Sequence, residues 1–258
     1  MRLSRFRKLA VLVLLLSPLW LIAQVTETAY TSGAGHVDAK MDAVSIGLNQ
    51  SAASPNQYQA LAAGTTIVSA GLTDNLDFQV GAQLFLRSTF AVAGIDHTET
   101  GMGNVAARTK WTFWKDEASG QALAIIPYVQ FPTHSQFGGS QFLQGGLILP
   151  WSMKIGAGAT AAAMVEWDQL RNITNSGYVS KFYTSGYLRW DLGKVFGAYT
   201  EATMSDSTQG HSSFAGTLGA GATLSLSNNF EWDFEESRVI GKGRSAWTEV
   251  LRFRWKMF

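Results

Sequence analysis

From residue 24 onward the chain alternates apolar and polar side chains in stretch after stretch, a period of two that belongs to strands rather than helices. In Leu76–Leu86 the even positions are apolar and the odd ones mostly polar. Asn104–Trp114 sets Val105, Ala107, Thr109, Trp111 and Phe113 against Asn104, Arg108 and Lys110. Ile155–Asp168 repeats the pattern, Phe230, Trp232 and Phe234 oppose Glu231, Asp233 and Glu235, and Leu251, Phe253, Trp255 and Met257 oppose Arg252, Arg254 and Lys256. Aromatic-rich faces of this kind need a second sheet or lipid against them. No second long apolar run follows the N-terminal one, and without helices only a closed barrel pairs every backbone group inside hydrocarbon.

The composition agrees. Only 15% of the 258 residues are charged, against about a quarter in soluble domains. There are 26 Gly and 12% aromatics, yet mean hydropathy is only +0.03, too low for a bundle of membrane helices. Arg2, Arg5, Arg7 and Lys8 precede an apolar stretch from Leu9 to Ile22, and Ala23 ends a cleavage site, so residues 1–23 read as a signal peptide and 24–258 as the barrel. That apolar stretch is shorter than the roughly 18 to 20 residues of a spanning helix. Loss of its four cations takes the formal charge of +1 down by four to −3, which argues against nucleic-acid binding. The absence of Cys excludes disulfides, thiolate metal sites and lipid-modified Cys. No cofactor is expected.

Short connections at 73–75, 116–118, 152–154, 191–193 and 227–229 alternate with longer polar ones at 49–58, 92–100, 132–140, 169–176 and 205–211. Short periplasmic turns and longer external loops alternate in this way in up-and-down antiparallel barrels, and the count is about twelve strands, an even number. The first strand, near His36 to Leu48, loses its parity between Met41 and Ile46, which predicts a bulge. Trp111, Trp151, Trp190, Trp232 and Trp255 fall near the periplasmic strand ends and Trp167 near the external ends, the expected girdles facing outer-membrane lipid.

Polar positions then face the lumen. Arg108, Lys110, Glu231, Asp233, Glu235, Arg252, Arg254 and Lys256 are the candidate lining residues, joined by Lys181, Arg189, Asp77, Glu166 and Glu201. A turn centred on Gly243-Arg244 would set Glu231 near Lys256, Asp233 near Arg254 and Glu235 near Arg252. Such a ladder either fills and rigidifies the lumen or lines a pore.

Three segments resemble a known family. Gly71-Leu72-Thr73-Asp74-Asn75 is similar to its Gly-Leu-Thr-Asp-Asn turn, and Gly101-Met102-Gly103-Asn104 before Lys110-Trp111 to its Gly-x-Gly-Asp … Lys strand. Pro127 to Thr133 is similar to its paired-proline segment. Asn104 and His134 depart from the family's usual Asp and Gly. The family is the bacterial outer-membrane one named for a role in the meta-pathway of phenol degradation. The resemblance implies a transporter-like barrel passing hydrophobic or aromatic compounds, and it carries no catalytic residues. Terminal Phe258 resembles the signal that the barrel-assembly machinery reads, although the apolar parity before it is shifted by one. The expected function is therefore a passive channel for small molecules, with a plugged structural or adhesion barrel as the alternative. His211-Ser212-Ser213 matches the His-x-Ser spacing of outer-membrane lipid hydrolases, a short motif that also occurs by chance. Asp96, His97 and Glu99 are a metal candidate that reads better as a solvated loop.

Overall fold

The computed structural model describes residues 26–257 except 52–53, 93–94, 136–139, 157, 173–175, 208–214 and 241–244. The elements are β1 (Val37–Ser51), β2 (Ser54–Thr73), β3 (Leu76–Val92), β4 (Ile95–Gly101), β5 (Val105–Asp116), β6 (Gln121–Phe131) and β7 (Gln144–Ile155). They continue with β8 (Ala159–Arg171), β9 (Tyr178–Leu192), β10 (Phe196–Ser207), β11 (Ala215–Ser227), β12 (Phe230–Ile240) and β13 (Ser245–Lys256). All pairings are antiparallel, between chain neighbours except for β3 with β5 and β1 with β13, and because β1 pairs with both β2 and β13 the sheet closes. Both β4 and β5 pair with β3, β4 above and β5 below, so they share one place in the wall and the barrel has twelve strands.

Local chemistry sets the short turns. At 117–120 the Asp116 carboxylate accepts the Ala118 amide at 3.0 Å and the Ser119 hydroxyl at 2.6 Å, and Gly120 supplies φ 64°. One expected turn moves: 152–154 lies inside β7, and the connection to β8 falls at 156–158, where Gly156 has φ 62°. Two expected external loops are largely strand. β2 runs for 20 residues and β3 for 17, well beyond the roughly 9 to 11 needed to cross the membrane, so the β1–β2 and β3–β4 hairpins overrun the wall. Polar and small side chains at 49–58 and 92–100 give no alternation to announce these ladders.

Burial is inverted relative to a soluble protein. Asp77, Gln79, Lys110, Gln130, Asp168, Glu201, Asp233 and Arg252 are buried, while Phe78, Val80, Phe113, Leu149, Val165, Phe182 and Phe234 are exposed. In a closed barrel the first set faces inward and the second outward, toward lipid. Trp111, Trp167, Trp190, Trp232 and Trp255 stand on the outer face with exposures of 39–51%. Trp151 shares that face, its indole N–H donating to Gln121 Oε1 at 3.2 Å.

The predicted parity break in β1 is a bulge between Asp42 and Val44 in the pairing with β13. It continues sideways. Buried positions jump from Asp42 to Ser45 in β1, from Ala62 to Thr65 in β2, and from Gln83 to Leu86 in β3. Gly64, with φ 69°, occupies the break in β2, a conformation open to glycine at little cost. Leu86, expected outside by simple alternation, is consequently inside.

Candidate functional site: a lumen occupied by the chain's own N-terminal segment

Residues 26–36 pass into the barrel and cross its interior. At the root, Gly35 N donates to Gly71 O and Gly71 N to His36 O, both at 2.9 Å. A Cβ on Gly71 would stand 1.8 Å from the Gly33 carbonyl oxygen, so only glycine lets the segment enter there. Asp74 accepts the Ala34 amide at 3.2 Å, and its backbone carbonyl accepts the Thr31 hydroxyl at 2.7 Å. The Ser32 amide donates to Asp77 at 3.0 Å, and the Tyr30 hydroxyl to Gly120 O at 2.7 Å. Deeper in, Ala29 packs on Ala122 and Ala124 and exchanges hydrogen bonds with Ser152 and Thr112 at 2.9 and 2.5 Å. At the inner end the Thr26 amide reaches Glu201 at 2.6 Å, and its hydroxyl reaches Ser185 at 2.7 Å. The segment thus bridges from β2–β3 to β9–β10 across the bore.

Glu27 is its charged residue. Arg108 Nη2 donates to Oε1 at 2.6 Å and Lys110 Nζ to Oε2 at 3.2 Å, with the three side chains only 13%, 7% and 18% exposed for Arg108, Lys110 and Glu27. Burial opposes ionisation of Glu27, but Arg108, Lys110 and Lys40 outweigh it and hold the carboxyl well below the usual carboxylate range. Lys110 and Asp77 are cross-strand partners, yet each turns to this segment, Lys110 to Glu27 and Asp77 to Ser32.

A chain of ion pairs lies along another part of the wall. Arg252 Nε meets Asp42 at 2.5 Å and Arg252 Nη1 meets Asp233 at 3.5 Å. Arg254 meets Asp233 at 2.9 Å and Glu231 at 3.7 Å, and Arg189 meets Glu231 at 2.8 Å. Tyr199 brings its hydroxyl within 2.7 Å of Asp233 and 2.9 Å of Glu235. The hairpin register differs from the expected one by two residues. Glu231 stands opposite Arg254 and Asp233 opposite Arg252, Glu235 faces Val250, and Lys256 is exposed opposite Asp38. A slip of two keeps every side chain on its own face, so alternation cannot distinguish the two registers.

Across the bore, on β6 to β9, Ile126, Tyr128, Ile148, Met164 and Tyr183 form an apolar patch buried inside the barrel. The Tyr128 hydroxyl is hydrogen-bonded to Asp168 and lies 3.4 Å from Glu166. Asp168 faces Lys181 across the β8–β9 ladder. The patch touches the N-terminal segment through Met164, whose sulfur accepts the Glu27 amide at 3.3 Å.

Reasoning from the sequence missed the N-terminal segment. Its one trace was the stretch between residue 23 and the first strand that no strand claimed, followed by Gly33 and Gly35. Asp96, His97 and Glu99 stand exposed on β4, and no group of three metal-ligating side chains is gathered among the described residues. His211, Ser213, Phe258 and residues 1–23 lie outside the described residues.

Closure, inverted burial and paired ladders define the class: the architecture is that of bacterial outer-membrane β-barrels. No family model matches the chain, and no curated protein is similar to it in sequence. Solved structures are similar in fold. The COG4313 outer membrane channel from Pseudomonas putida F1 superposes with a TM-score of 0.68 at 11% identity, covering 89% of this chain and 98% of that one. The translocator domain of the autotransporter NalP from Neisseria meningitidis gives 0.56 at 11% identity, covering 99% and 95%. The KdgM porin in complex with disordered oligogalacturonate gives 0.54 at 8% identity, covering 86% and 99%. At such identities the likeness is one of fold.

Proposed function

We propose that this barrel is a passive outer-membrane channel for small molecules, hydrophobic or aromatic ones among them, and that residues 26–36 are its movable stopper. The observation that carries this reading is the mixed inner wall, a chain of ion pairs on one side and an apolar patch on the other, with the stopper seated between them. An amphipathic solute finds a surface of each kind on such a wall. The stopper is held by hydrogen bonds and ion pairs, not by strand pairing. Ordering a residue costs about 1–2 kcal/mol, and a hydrogen bond returns about 1 kcal/mol net, so its seated state lies near balance. The charged positions Arg108, Lys110, Glu231, Asp233, Glu235, Arg252 and Arg254 line the solute path in this reading, and Lys256 stands at its periplasmic mouth. The girdle tryptophans hold the wall in the membrane, with no enzymatic step.

The channel class of the COG4313 neighbour supports this reading. So do the Gly71–Asn75, Gly101–Lys110 and Pro127–Thr133 segments, which also support kinship with the phenol meta-pathway family. Each holds residues that seat the stopper or form the inner wall: Gly71 and Asp74, Lys110, and Tyr128 and Gln130. The test is single-channel conductance in planar bilayers of the refolded chain and of a variant lacking residues 26–35, folding being checked by heat-dependent gel mobility. Small or rare openings in the full chain and large steady ones in the deletion are expected. Silence from both folded proteins would establish instead the plugged structural barrel.

A further inference from the structure

The Glu27 carboxylate sits where two elements of a binding site meet. Arg108 and Lys110, neighbours on the inner face of β5, grip its two oxygens, one cation to each. The same residue rests by its backbone amide on Met164, a member of the apolar patch. That patch reaches the cations directly, because Tyr128 is the cross-strand partner of Arg108. A carboxylate head and an apolar body are therefore accommodated side by side. The other acids near these cations have partners of their own: Asp168 faces Lys181 and accepts from Tyr128, Glu166 lies 3.4 Å from the same Tyr128 hydroxyl, and Asp77 accepts the Ser32 amide. Among the described residues Glu27 is the carboxylate in ion-pair contact with Arg108 and Lys110, and it comes from the segment that must leave for the bore to open.

We propose that Glu27 is an internal surrogate for the solute, and that the site takes amphipathic monocarboxylic acids, small aromatic ones included. The solute's carboxylate replaces that of Glu27 on Arg108 and Lys110, its apolar part lies on Ile126, Tyr128, Ile148 and Met164, and the stopper is expelled by competition. This deepens and rests on the channel reading. An acid of this class thus releases the stopper that bars its own path, whereas a neutral molecule of the same shape, or a carboxylate without an apolar body, does not.

The chain has no Cys, so a single thiol reports on the stopper. Ala29 belongs to the stopper, is fully buried against Ala122 and Ala124 when the segment is seated, and exchanges small for small as Ala29→Cys. The rate at which a water-soluble maleimide labels this variant, folded in detergent micelles, measures release. Benzoate is expected to raise the rate on the order of tenfold, the usual size of coupling between ligand and conformation. Benzamide and acetate at equal concentration are expected to leave it unchanged. Arg108→Gln with Lys110→Gln should label fast without any addition and lose the response to benzoate, and Glu27→Gln should also label fast. Equal acceleration by acetate would overturn the proposal in favour of simple charge competition, and equal acceleration by benzamide in favour of apolar displacement. No response to benzoate from a folded protein whose Glu27→Gln variant labels fast would overturn the carboxylate site while leaving the channel standing. Failure of the channel reading shows separately, as silence of the stopper-deleted barrel in planar bilayers.

Discussion

The two sides of the bore solve the problem of an interior in opposite ways. On β1, β12 and β13, large charged groups are buried and neutralise one another in the run from Asp42 through Arg252, Asp233 and Arg254 to Glu231. On β6 to β9 the interior is built from Ile, Met and Tyr with polar hydroxyls at its margin. The first wall is held together by ion pairs shared between neighbouring strands. The second presents a surface on which something else can lie. The segment meets this second wall at Met164, whose sulfur accepts the Glu27 amide, and its ion pairs go to Arg108 and Lys110 on β5.

The largest expected effect lies on the charged side. Arg252, 1% exposed, is shared by Asp42 and Asp233, and Arg252→Met leaves both carboxylates buried without it. Breaking a buried pair by removing one partner costs about 3–5 kcal/mol, to be read from urea unfolding of the refolded barrel. A cost no greater than that of an apolar truncation would erase the contrast between the walls. Next, Ile148→Ala on the apolar side should cost about 2.4 kcal/mol, the transfer value for the three carbons removed at about 0.8 kcal/mol each, with no added cavity cost because the space opens to the bore. A larger loss would show that the patch is sealed core.

Smaller still in stability, yet larger in function, is Gly71→Ala. Its Cβ collides with Gly33, so the stopper should lose its seat while the barrel folds, with labelling of Ala29→Cys rising roughly as far as with benzoate. Unchanged labelling would mean that the root bends to accommodate a methyl. The smallest effect is on pH. Because the Glu27 carboxyl is held below its ordinary value of 4.5, its pairing favours the seated state fully above that value and weakens only as pH falls beneath it. The difference in conductance between the parent barrel and Glu27→Gln should therefore hold constant from about pH 8 to 5 and shrink only in stronger acid. Opening near neutrality would assign the latch to another group.

Much of this was legible in the sequence, for definite reasons. A period of two survives any uncertainty in strand ends, so inner and outer faces could be read along β5, β8, β12 and β13. The β1 bulge was visible because it breaks that period. Register was not, since Glu231 opposite Arg254 and Glu231 opposite Lys256 leave the same alternation. Strand extensions beyond the membrane carry no alternation either. The stopper was hidden because its contacts are backbone amides and small polar side chains drawn to residues far along the chain, as in Thr26 to Glu201. The Glu27 pair with Arg108 and Lys110 could not be anticipated without knowing that the segment turns inward.

The stopper continues directly into β1 at Val37, anchored by Gly35 and Gly71. A displaced stopper is thus never lost: it remains on a short leash with an effective concentration of millimolar order. Any solute that opens the bore competes against that standing concentration, so throughput should rise with millimolar solute and fall away at trace levels. Reclosure needs no second component, because the leash returns the stopper as soon as the solute has passed.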